Sequence, residues 1–235
     1  MIIPPTQAQL DEAAAAFERD WGAVDETLYR ICREHPDHGD RRWTTAKVAL
    51  IGRAYSAGLE RRVSPPKGQQ AIVVIANYCE HHGAEIDEIL AGLRPIEEPL
   101  SVQDMATIVS VHGRLTELLV GVTSDGKAPR SFAAKYLHFY RPLVPIYDSY
   151  AAVRLGALVP WDAKHIPFEQ PPGGDGEYWS FCVRFFRLYG TCVKAGLDVK
   201  VKGLDTYLWQ VPQATPDPAG DVGANVPTGD RVQQA

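Results

Sequence analysis

Pro142 and Pro145, three residues apart between two helical patterns, constrain this chain more than any other feature. Neither can continue a helix, and each pushes the residue before it toward extended geometry. The chain therefore leaves a helix near Tyr140, runs extended through Val144-Pro145-Ile146, and starts again at Asp148, an acid placed to open the next helix. Upstream, residues 131–140 put Phe132, Tyr136 and Phe139 on one side, with Lys135 and His138 near its edge, so this helix is expected to be apolar on one face and basic on the other. The linker before it, GVTSDGKAPR, carries turn chemistry at Gly121, Ser124, Asp125 and Gly126, and Pro129 suits a first helical turn. A hairpin of this kind leaves backbone N–H groups facing outward beside Lys127 and Arg130, which is how a helix N-terminus receives a phosphate.

The rest of the chain also reads as helix. Residues 6–34 carry Leu10, Ala13, Phe17, Trp21, Val24, Leu28 and Ile31 at spacings of three and four. A second helix is expected over 43–62, interrupted by Gly52 and Gly58, two glycines that suggest close approach by another backbone or a ligand. Helices follow over 69–82, 85–93 and 102–119, the last opened by Ser101 with Asp104 at its third position. After a Pro/Gly-rich loop at 161–176 come helices at 178–195 and 202–209. From Val211 the composition cannot build a core, and a flexible tail over 212–235 is expected. The fold class is all-α, since no strand is compelling.

Composition narrows the function. No run of about 18 apolar residues exists, so no membrane span is expected. The N-terminus has two prolines and an early acid where a signal peptide needs a basic start, so a cytoplasmic protein is expected. Cys32, Cys79, Cys182 and Cys192 form no CxxC pair and read as core thiols. His35 and His38 lie in a proline turn, and Cys79, His81 and His82 splay around a helix, so no metal site is expected. The net charge of −5 argues against a polyanionic partner, but its distribution does not. Between Arg41 and Lys67, seven basic residues, Lys47 among them, face one acid, Glu60, and a second basic cluster runs from Arg114 to Arg141. One basic face on an acidic body is the expectation.

The hairpin, the helix after it, the segment RPLVPIYD and the helix that follows resemble the helix-hairpin-helix DNA glycosylase superfamily, over residues 43–153. In that superfamily a Pro-Val-Asp-like element places the catalytic aspartate at a helix start. The phrases SFAAKYLHFYRPLVPIYDSY and WTTAKVALIGRAYSAGLERR also resemble a group of bacterial proteins with anti-phage glycosylase relatives that act on bulky modified cytosines. The resemblance implies an all-α, two-lobed helix-hairpin-helix DNA glycosylase-like domain over 1–211, with a hairpin lobe at about 69–153 and the N- and C-terminal helices in the other lobe. It implies a monomer acting on a modified or damaged base in double-stranded DNA. The superfamily's nucleophilic lysine falls close to Pro129 here, and its iron–sulfur cysteines are missing, so hydrolysis without lyase chemistry and without a cofactor is implied.

These readings give a site to look for. Asp148 is the candidate catalytic carboxylate, because cleavage of an N-glycosidic bond builds oxocarbenium charge that a fixed carboxylate stabilises. Tyr55, Ser56, Arg53, Arg61, Tyr147 and Tyr150 are the candidate base pocket, and Gly126, Lys127, Arg130 and Lys135 the candidate phosphate contacts. Two rivals stand beside this reading: a non-catalytic helix-hairpin-helix DNA-binding module of a repair or defence system, and a helical interaction protein with no nucleic-acid role.

Overall fold

The computed structural model describes residues 2–210, and the expected tail lies outside them. Among the described residues there are α-helices and short 3-10 turns but no strand. Helix α1 (Gln7–Glu34) begins in a reciprocal cap: Thr6 Oγ1 accepts the Gln9 N–H, and Gln9 Oε1 accepts the Thr6 N–H. Helix α5 (Val102–Val120) uses the same device with Ser101 and Asp104, as its sequence predicts. Between them lie α2 (Arg41–Ala54), α3 (Ala71–His81) and α4 (Gly83–Ala91). Helices α6 (Arg130–Tyr140), α7 (Ser149–Leu158), α8 (Gly176–Lys194) and α9 (Val201–Gln210) follow.

The second helix stops eight residues short of its predicted end. Ser56 (φ 47°) and Gly58 (φ 72°) are both left-handed, so the chain turns out of α2 after Ala54 and resumes as a 3-10 turn, Leu59–Arg62. Leu59 is buried, and this continued the apolar stripe that had suggested an unbroken helix.

Helix α6 is the centre of the fold. It packs on α1, α2 and α5, and every residue from Phe132 to Phe139 is buried. The expected basic face does not exist: His138 is fully buried and Lys135 is 5% exposed. His138 keeps its place because Nδ1–H donates to the Val144 carbonyl at 2.7 Å and Nε2 lies 2.7 Å from Tyr29 Oη. Lys47, counted among the basic cluster, is also inside, where its Nζ donates to the carbonyls of His35 and Asp37 and to Tyr140 Oη. Three acceptors replace the water that a buried ammonium loses. All four cysteines are buried free thiols.

The remaining segments are tied to this frame. The hairpin turn between α5 and α6 is clamped to the end of the 3-10 turn: Ser124 N–H donates to the Arg62 carbonyl (2.7 Å), Ser64 N–H to Ser124 Oγ (2.7 Å), and Arg62 Nη1 to the Ala128 carbonyl (2.9 Å). The long loop before α8 lies against α5, where a Cβ on Gly113 would overlap the Gly173 carbonyl. Helix α9 closes the fold by packing on α1 and α7.

Candidate active site

The end of α2, the first turns of α6 and α7, and one face each of α1 and α9 enclose a cavity of about 820 Å³. That lies within the range of roughly 300–1,000 Å³ typical of small-molecule sites. Asp148 stands on its wall in extended geometry (φ −144°, ψ 169°) and caps α7, with Oδ1 accepting the Ala151 N–H at 2.7 Å. The cap fixes the carboxyl group in place. The two prolines interrupt the helical pattern after Tyr140, and Asp148 supplies the cap at which the next helix starts.

The same cavity contains Tyr55, Ser56, Arg61, Tyr147 and Tyr150 from the expected pocket set, and Arg130 and Lys135 from the expected phosphate set. Tyr55 sits at the helix break, with its hydroxyl donating to Asp25 of α1. Lys135 reaches the cavity from the buried centre of α6, and its Nζ donates to the Tyr55 carbonyl at 2.8 Å. Burial pushes its ammonium below the usual lysine range, with Asp148 pulling the other way. It is therefore an interior group beside Asp148 and does not lie on the hairpin surface.

Other expected residues lie elsewhere. Arg53 is absent from the cavity wall and pairs with Glu60 at 3.1 Å. Gly126 and Lys127 are exposed on the hairpin turn outside the cavity, and Asp125 takes the Lys127 N–H at 3.0 Å, which occupies one amide that a phosphate would use. Arg130, although on the cavity wall, is engaged by Asp175 at 2.6 Å and by Glu177 at 3.2 Å.

Sequence reasoning missed part of the wall. Trp21 lies 5.8 Å from the Tyr55 ring and 5.6 Å from that of Trp209, which in turn meets Phe17 edge-on at 5.9 Å. These aromatics come from the two ends of the chain. Lys202, also on the cavity wall, pairs with Asp25 and donates to Tyr29 Oη at 3.1 Å. Asp205, also on the cavity wall, accepts the Ile146 N–H on both carboxyl oxygens at 3.2 Å. One signal was available: Asp25 and Asp205 each fall among the buried residues of an amphipathic helix, where an acid demands a partner.

No cluster of three or more His, Cys, Asp or Glu suited to a metal ion occurs among the described residues. No helix among them is long and apolar enough to cross a membrane. Comparison of the chain with protein-family models, with curated proteins and with solved structures finds no match.

The site combines a capped carboxyl group, aromatic walls and the cations Arg61 and Arg62. Such an arrangement can hold a flat heterocycle, stabilise positive charge on an attached sugar, and meet phosphates at its mouth.

Proposed function

We propose that the protein is a monofunctional DNA glycosylase that hydrolyses the N-glycosidic bond of a flipped-out modified or damaged base in double-stranded DNA. The observation that carries this reading is the placement of Asp148 at the α7 N-terminus, on the wall of a cavity that Trp21, Tyr55 and Trp209 also line. An extruded base stacks among Trp21, Tyr55 and Trp209, while Arg61, Arg62 and the exposed Lys127 turn meet the displaced backbone. Asp148 then stabilises the oxocarbenium-like sugar or activates water against it. The two-lobed helix-hairpin-helix arrangement implied by the sequence resemblance belongs to this reading, as does a role in defence against phage DNA with modified cytosines. A cavity of about 820 Å³ has room for a substituted base, which supports that substrate class.

The test is a set of duplexes, each carrying one modified base, together with phage DNA containing modified cytosines, assayed for free base and for abasic sites. Base release from at least one is expected. Salt-dependent DNA binding with no abasic product from any would favour the non-catalytic DNA-binding module. Absence of DNA binding at low salt would favour a protein interaction role.

A further inference from the structure

Among the described residues, three acids line the cavity: Asp148, Glu177, which is paired with Arg130, and Asp205. Asp205 belongs to α9, outside the stretch that carries the family resemblance, and is 7% exposed. Its two oxygens share the Ile146 N–H, two residues before Asp148, so it faces the loop that delivers the catalytic carboxyl group.

Among the described residues no lysine or arginine forms an ion pair with Asp205. On its own helix, Lys202 gives its Nζ to Asp25 and Tyr29. Asp148 of the α7 cap and Glu98, which accepts the Val201 N–H at 2.6 Å, are themselves acids. His138 of α6 brings Nδ1 within 3.7 Å, but that nitrogen is committed to the Val144 carbonyl, and burial pushes the imidazole down to about 3 and holds it neutral. Tyr29 of α1 and Tyr178 and Cys182 of α8 are neutral, their ionisation driven up by burial.

Resting on the glycosylase reading, we propose that Asp205 is the general acid that delivers a proton to the departing base. Burial pushes its carboxyl well above the usual carboxylate range, and nearby Asp148 adds to this against opposing pulls from the Ile146 amide and Lys202. Asp148, half-buried as the α7 cap, and Asp205, buried on α9, thus stand in different environments, the arrangement by which enzymes separate acid from base. In the step, the C1′–N bond breaks and its electron pair passes to the base nitrogen, which takes the Asp205 proton. A water oxygen bonds to C1′ and gives its proton to Asp148. The enzyme leaves the step with Asp205 ionised and Asp148 protonated, and solvent exchange resets both.

Two measurements test the assignment. In wild-type protein labelled with 13C at the aspartate carboxyl carbons, titration by NMR should show one buried carboxyl group still protonated at neutral pH, and its signal should vanish in Asp205→Asn. Asparagine keeps an acceptor for the Ile146 N–H but carries no acid proton. On whichever duplex the wild type cleaves, Asp205→Asn should lower single-turnover base release by about 100-fold or more, the usual worth of general acid catalysis. It should also abolish the fall in wild-type rate at high pH. An ionised Asp205 at neutral pH overturns the proposal, as does a variant with wild-type rate or with a lower rate on an unchanged pH profile. If no duplex is cleaved, the glycosylase reading falls and this assignment falls with it, whatever the titration shows.

Discussion

Lys135 Nζ donates to the backbone carbonyl of Tyr55 at 2.8 Å, joining the buried centre of α6 to the point where α2 breaks. That carbonyl belongs to the last turn of a helix that stops, so it has no helical N–H to accept. The bond holds the break, and with it the Tyr55 ring, on the cavity wall. Lys135→Ala removes the donor and much of a buried side chain, and should cost about 3 kcal/mol, combining an unsatisfied carbonyl with a cavity. Urea denaturation checks the value, and a loss below about 1 kcal/mol would show that water replaces the bond without penalty.

Gly58 offers a test of the break itself. At φ 72° an alanine is strained, and its Cβ would lie 3.3 Å from the Arg61 guanidinium. Gly58→Ala should lose about 1–2 kcal/mol, the cost of left-handed geometry for a residue with a Cβ. Base release should fall as Arg61 is displaced from the cavity mouth. Thermal melting measures the first effect and single-turnover assays the second. Equal stability would mean that the turn relaxes to another conformation.

The buried histidines predict acid sensitivity. Burial pushes His112 down to about 4, with the bond from Nε2–H to the Arg130 carbonyl pulling weakly upward, and pushes His138 down to about 3. Both folded values lie below the unfolded value, so the stability they contribute is complete above about 6.5 and is lost as pH falls toward the folded values. Asp205 acts in the opposite sense, its contribution being lost as pH rises from the usual carboxylate range. Comparing wild type with His112→Gln isolates one group. The stability difference between them should shrink by about 3 kcal/mol between pH 7 and pH 4. A constant difference in urea denaturation would mean that His112 is not held neutral.

The sequence signals that proved readable were local ones. The α5 cap needed only Ser101 and Asp104, and the start of α7 followed from Pro142, Pro145 and Asp148 within one short segment. The end of α2 was not readable, because the left-handed geometry of Ser56 is visible only in the backbone and Leu59 continues the apolar pattern. Lys135 was misplaced for a related reason: its acceptor comes from a residue 80 positions earlier in the chain. The aromatic wall and the Asp25–Lys202 pair depend on α1 meeting α9 across 177 positions, a packing choice that no local spacing encodes.

The central claim is that Asp148 performs base release inside this cavity. The most direct measurement compares wild type with Asp148→Asn, which keeps the shape of the α7 cap, on the duplex that wild type cleaves. Abasic sites would be counted under single-turnover conditions and DNA affinity measured in parallel. The account predicts that Asp148→Asn binds the duplex within about 3-fold of wild type, a change worth under about 1 kcal/mol, and forms no detectable abasic sites. Base release by Asp148→Asn at the wild-type rate would contradict it.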